Sequence, residues 1–281
     1  MKLGLNLWIW DAPFRTDRHL ALIPLVRALG GEVVEFALED DSVVDEQLLK
    51  RTLADEELAC SVVGLFGPDR DLSQDSAAAR QNGLAYARRC IDLCAGVGAT
   101  LFSGAVAGCG GKEPLSPDLR RGRIERAAES LRELGDYAAQ AGVGVAVEIL
   151  NRYENNLLTT AAHGRELIDL TDHPAVGIHL DSFHMGLEET DLGGAIRLAG
   201  DRLVHFHGNE SHRGTPGTGV VPWGQVADGL QATGYDGYVI IESFNHLSWI
   251  GPLAHFWRPL TESPESLGRD GLAFLKRALQ R

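Results

Sequence analysis

The stretch AVGIHLDSFHM, residues 175–185, decides how the chain is read. Its apolar run is short, unbroken and stops at a carboxylate, Asp181, with His179 two positions before and His184 three after. A run of that kind is what a strand buried on both faces of a parallel sheet looks like. Moving outward, the pattern repeats: GVGVAVE (142–148) stops at Glu148, LVHFH (203–207) at His207 and YVIIE (238–242) at Glu242.

Further out, short β-rich runs alternate with segments of helical period along the whole chain, the pattern of βα units around a parallel sheet. Strands are predicted at 3–7, 33–36, 61–64, 100–103, 144–148, 176–180, 203–207 and 238–242, and helices at 18–29, 45–57, 74–96, 117–141, 161–171, 191–199, 223–233 and 264–279. Repeats of this kind, without a linker or low-complexity stretch, predict that residues 1–281 form a single (β/α)₈ TIM barrel domain of the α/β class, its active site at the C-terminal ends of the strands. An open dinucleotide-binding sheet is disfavoured, because strand 1 runs into NLWIWDAP (6–13) with no GxGxxG. The Gly-rich SGAVAGCGG (103–111) lacks the Lys-Ser/Thr ending of a phosphate loop and reads as a flexible loop over the barrel mouth.

Composition narrows the partners. With 44% hydrophobic residues the chain can bury a large core. Its 39 acids against 26 bases, a net charge of -13, argue against a nucleic-acid partner, which needs a basic face. MKLGLNLWIW reaches Asp11 too soon for a signal peptide, and no apolar run approaches the roughly 18 residues of a membrane span, so a cytoplasmic protein is expected, without membrane partners. The cysteines Cys60, Cys90, Cys94 and Cys109 form no CxxC pair and suggest neither a zinc ribbon nor a disulfide framework. Cys90 and Cys94, one helical turn apart, read as small core residues.

In a barrel the chemistry collects where the strands end, and four successive strands end in Glu148, Asp181, His207 and Glu242. Unneutralised acids converging at one mouth repel each other and resist desolvation, and a divalent cation removes that cost. Three carboxylates and one imidazole suit Mn²⁺, Mg²⁺ or Co²⁺ and do not resemble a thiolate or three-His zinc site. Strand alternation puts His179 on the side of Asp181 and His205 on the side of His207, one layer deeper, where they are expected as core residues or as donors behind metal-bound carboxylates. Glu154, His184 and Arg213 follow the strand ends at short offsets, in loops where substrate contacts are expected.

The segments VEILNRYE (147–154), HLDSFHMGLEE (179–189), HFHGNESHRGTPGTGVVPW (205–223) and GYDGYVIIESF (234–244) resemble the D-tagatose 3-epimerase and D-allulose (D-psicose) 3-epimerase family of the xylose-isomerase-like sugar isomerase/epimerase barrels. The tail WRPLTESPESLGRDGLAFLKRAL (257–279) resembles the family's last helix. The resemblance implies that Glu148, Asp181, His207 and Glu242 ligate one divalent ion per subunit, with Mn²⁺ favoured and Co²⁺ or Mg²⁺ as alternatives. It implies that Glu148 and Glu242 are also the acid/base pair, that Glu154, His184 and Arg213 hold the sugar, and that the assembly is a homodimer or homotetramer. The first half departs from the family. Where members carry an aromatic near the end of strand 1 and a Trp after strand 4, this chain has Asn6 and Cys109-Gly110-Gly111, and Ser243 follows Glu242 where Pro is common. Glu35 echoes the family's second strand, either as support for a ligand or as a strand-end acid.

The implied reaction is inversion of C3 of a free ketose, one carboxylate on each face and a metal-stabilised enediolate between. Three alternatives stand beside it: an aldose-ketose or hydroxypyruvate-type isomerase on the same barrel, a metal-dependent endonuclease, and a non-catalytic sugar-binding barrel. The endonuclease lacks histidines in VVEFALED (33–40) and SVVGLF (61–66) and has the wrong charge, while retention of both strand-end glutamates argues against the binding barrel. The greasy stretch HLSWIGPLAHFW (246–257) is expected to be an interface patch or a lid.

Overall fold

Strands β1 (Lys2–Asn6), β2 (Val33–Ala37), β3 (Ala59–Gly64), β4 (Leu101–Gly104), β5 (Gly144–Glu148), β6 (Val176–Asp181), β7 (Leu203–His207) and β8 (Tyr238–Ile241) pair in parallel and in sequence order, and β8 returns to β1 to close the barrel. The coordinates are a computed structural model that describes residues 1–109, 111 and 113–279. β2, β4 and β6 are buried at every position, which is why their sequences are almost continuously apolar.

Helices follow the strands where sequence signals start and stop them. Pro117–Ala141 begins with Ser116 accepting the Leu119 N–H and Pro117 in the first turn, and ends at Gly142 in the left-handed conformation. Ala161–Thr171 is capped by Thr160, and Trp223–Thr233 stops at left-handed Gly234. These three helices and Pro264–Leu279 have the predicted bounds. The ring is completed by Leu22–Ala28, Glu46–Asp55, Ala77–Val97 and Leu192–Ala199, and their apolar faces join the outer faces of the strands in one core.

Other bounds shift by one to three residues, and three differences have a local consequence. The predicted helix 18–29 is split into Thr16–His19 and Leu22–Ala28. Pro24, lacking an N–H, is tolerated in the first turn of a helix and not inside one, so the second piece starts just before it. β8 stops at Ile241, leaving Glu242 one residue past the ladder. The residues after β6, expected as loop, form a helix, Ser182–Glu188, because Asp181 ends the strand and also accepts the Phe183 N–H as its cap.

The barrel closes tightly at Gly4, where a Cβ would meet the carbonyl oxygen and Cβ of Val33 on β2 and Cδ1 of Ile240 on β8. Gly4→Ala should destabilise the protein by about 1–3 kcal/mol through overpacking, measured as a lower urea midpoint; an unchanged midpoint would show that the seam relaxes freely.

Candidate metal centre and active site

β5 ends at Glu148, β6 at Asp181 and β7 at His207, and Glu242 follows β8 directly. All four are buried, and one donor atom from each lies within 4.8 Å of the others. Arg213 partly neutralises the acids: its Nη1 lies 2.7 Å from Glu242 Oε2 and 2.9 Å from Asp181 Oδ2. His207 Nδ1 faces the same two oxygens at 3.7 and 3.9 Å, too far for hydrogen bonds, and has no partner among the described residues. Buried polar atoms are rarely left open. A free imidazole nitrogen turned toward three carboxylates, against one guanidinium, is a donor set that fits a divalent cation.

The orientation of His207 comes from Glu35, at the middle of β2. Glu35 Oε1 lies 2.8 Å from His207 Nε2 and accepts from Asn6 Nδ2 at 3.0 Å; Oε2 lies 2.8 Å from His205 Nε2 and accepts from Ser61 Oγ at 2.9 Å. Burial alone would push this carboxyl up, but the two imidazoles outweigh it and hold it well below the usual range. Its charge commits Nε2 of His207 and turns Nδ1 to the mouth, the arrangement that orients metal-binding histidines. Burial opposes a charge on His207 as well, yet Glu35 and Glu242 hold it well above the usual imidazole value. A proton and a cation are therefore alternatives at Nδ1.

The expected support from His179 and His205 takes another form. His205 bonds Glu35 rather than a strand-end carboxylate, and neither ring nitrogen of His179 has a partner among the described residues. The donor behind Asp181 is Asn209: its Nδ2 donates to Asp181 Oδ2 at 2.8 Å, and its Oδ1 accepts the Glu242 N–H at 2.7 Å. One amide thus spaces two strand ends. Its sequence signal was a polar residue at the next inward position after His207.

The two glutamates differ electrostatically. Burial, with the charge of Glu242 adding to it, holds Glu148 well above the usual carboxylate range. Burial also acts on Glu242, but Arg213 and His207 overcome it and hold that carboxyl low. Two carboxyls of one site are thus pushed apart in proton affinity by their environments.

Glu154, His184 and Arg213 come together with Glu148 and Glu242 in the wall of one cavity of about 510 Å³. His184 stands on the Ser182–Glu188 helix rather than in a loop; its Nδ1 accepts the Asn151 N–H at 3.2 Å, and Nε2 lies 3.7 Å from Glu148 Oε1. Burial, then Arg213, holds it well below the usual value, hence neutral. Glu154 accepts from Asn151 Nδ2 at 2.9 Å, and burial raises its carboxyl. Arg213 has φ +61°, uncommon outside glycine, and its guanidinium lies 4.2 Å from the Phe183 ring and 5.5 Å from that of Phe244. Ser243 finds its reason here: its hydroxyl donates to the Arg213 carbonyl at 2.7 Å and pins that strained residue. Glu210 binds the same loop by accepting from Gly217, Val221 and Trp223.

On the first-half side, Asn6 turns into the barrel, and the aromatic at the mouth is Trp8, stacked on Phe244 at 5.5 Å with its indole N–H donated to Glu39. The loop after β4 contributes Ala105 and is tied by Asn155 Nδ2 to the Gly108 carbonyl at 3.0 Å and by the Gly111 N–H to Asn156 Oδ1 at 2.8 Å. Gly110 lies outside the described residues. From the 246–257 stretch, Trp249, Ile250, Leu253 and Ala254 wall the cavity opposite.

Residues 23–278 match the model of the xylose isomerase-like TIM barrel family. The chain is 32% identical to the ketose 3-epimerase of Arthrobacter globiformis over 98% of its own length and 96% of the relative's. This chain belongs to the ketose 3-epimerase family. Solved ketose 3-epimerases superpose closely. A structure of L-ribulose 3-epimerase matches with TM-score 0.93 and 30% identity, covering 99% of this chain and 94% of that one. D-psicose 3-epimerase from Clostridium cellulolyticum H10, solved with D-tagatose, matches with TM-score 0.91 and 28% identity, covering 99% of each chain. The chain therefore shares the barrel of these relatives over 99% of its length, and no described helix is long and apolar enough to cross a membrane.

Removing the Glu35 carboxylate leaves His205, His207, Asn6 and Ser61 unpaired in the interior. Glu35→Ala should cost about 3–5 kcal/mol, the usual penalty for breaking a buried charged network, read by denaturant titration; a loss under about 1 kcal/mol would mean that other groups order the mouth.

Proposed function

We propose that this chain acts on a free ketose as a divalent-metal-dependent 3-epimerase, with Glu148, Asp181, His207 and Glu242 as ligands, Glu148 and Glu242 as the acid/base pair, and Glu154, His184 and Arg213 as sugar contacts. The observation that carries the reading is the convergence of Glu148, Asp181 and Glu242 within 4.8 Å of one another and of His207, whose Nδ1 is open, at one mouth. Mn²⁺ suits three oxygens and one nitrogen best, with Co²⁺ or Mg²⁺ as alternatives. When bound, the cation supplies Lewis-acid stabilisation of the charge that develops on the C2 oxygen.

The chain's own residues do the rest. Glu242, held ionised by the Arg213 guanidinium 2.7 Å away, takes the C3 proton from one face of the substrate and leaves an enediolate. Glu148 delivers a proton from the opposite face and is left as the carboxylate, and the roles exchange in the reverse direction. β6 and β7 separate β5 from β8 in the ring, so the two carboxyls reach the substrate from different sides. Arg213 and the neutral His184 donate toward the C1–C2 oxygens, where charge accumulates. Glu154 accepts from a distal hydroxyl, and Trp8, Phe244 and Ile250 keep water from the enediolate.

We read the enzyme further as one cytoplasmic barrel domain working as a homodimer or homotetramer, with exposed Leu247, Leu253 and Trp257 as contact residues. Incubation of the Mn²⁺-loaded protein with a panel of free ketohexoses and ketopentoses should yield C3 epimers and no aldose, and chelation should abolish turnover. An aldose product would assign the isomerase reaction instead. Glu148→Gln and Glu242→Gln should each lower kcat by about 10²–10⁴-fold. Either variant turning over at the wild-type rate with metal bound would remove the two-carboxylate mechanism.

A further inference from the structure

Beneath the mouth, His179 on β6 and His205 on β7 stand side by side in register, with His207 one layer above. Their ring centroids lie 4.1–5.0 Å apart, all three are at most 1% exposed, and one nitrogen from each lies within 4.8 Å of the others. Both nitrogens of His179, and Nδ1 of His205 and of His207, have no hydrogen-bond partner among the described residues. Four open nitrogens in one fully buried place are exceptional, because an unsatisfied buried polar atom costs about 1–3 kcal/mol.

We propose that His179, His205 and His207 form a second cation site inside the barrel, selective for nitrogen-seeking ions of the zinc class. Its all-imidazole donor set differs in kind from the oxygen-rich mouth, and the order of affinities for such donors favours Zn²⁺ or Ni²⁺ over Mn²⁺. Tetrahedral Zn²⁺ with bonds of about 2.0–2.1 Å sets its nitrogens about 3.4 Å apart, and the three rings already bring one nitrogen each to within 4.8 Å of the others. Nε2 of His207 is held by Glu35, so Nδ1 is the one nitrogen it can offer to either site. The inner site and the mouth therefore compete for a single atom, and an ion held by the triad withdraws the nitrogen donor from the oxygen-rich set above. This inference does not need the epimerase reading; ketose turnover by Mn²⁺-loaded His179→Phe protein tests that reading separately.

The test titrates the metal-free full-length chain with Zn²⁺, Mn²⁺ and Co²⁺, comparing wild type with His179→Phe and His179→Met, whose thermal melts confirm folding. Loss of a direct donor should weaken Zn²⁺ binding by at least the about tenfold that follows loss of an outer partner, while Mn²⁺ affinity changes less than about twofold. Wild type should give the intense visible absorption of low-coordinate, nitrogen-bound Co²⁺, absent from both variants, and bound Zn²⁺ should exclude Mn²⁺. Equal Zn²⁺ affinity and an equal Co²⁺ spectrum in a folded variant would overturn the proposal, leaving the triad with water alone.

Discussion

A carboxylate that never reaches the mouth sets the terms for everything there. Glu35, wholly buried, takes bonds from groups on β1, β3 and β7 and so joins both halves of the barrel through one charge. A charge so placed is tolerable only because every neighbour donates to it. The consequence propagates outward: with Nε2 committed, His207 shows its other nitrogen to the acids above, and the open position at the mouth follows.

Above that network the difficulty is one of like charges. Glu148, Asp181 and Glu242 share a space too small for three free carboxylates. Arg213 offsets part of the repulsion, and Asn209 keeps Asp181 and Glu242 at a fixed spacing. The unequal share of positive charge falls to Glu242, while Glu148 faces burial and a neighbouring anion. Identical glutamate side chains thereby differ in proton affinity through placement alone.

Much of this was readable in the chain. Strand-end residues betray themselves because each closes an apolar run, and the run lengths follow from burial on both faces of a parallel sheet. Glu154, His184 and Arg213 were legible as offsets from those ends. Trp8 and the roles of Asn209 and Ser243 were not, because each acts across strands: Asn209 joins β6 to the end of β8, Trp8 meets Phe244 across the mouth, and Ser243 bonds a carbonyl 30 positions away. His179 and His205 are the buried residues expected, but their partners were not legible, for a related reason. Alternation predicts depth in a barrel and is silent about which partner waits there, and the partner of His205 came from β2.

The sequence by itself determined the period of the elements, the barrel they make and the four donors at its rim, since these depend on local pattern and on where apolar runs stop. Tertiary structure alone decided which nitrogen of His207 stays open, which glutamate Arg213 pairs with and how Arg213 is held. Those outcomes depend on distances and burial among residues far apart in the chain, and electrostatic interaction in a low-dielectric interior is governed by separation in space.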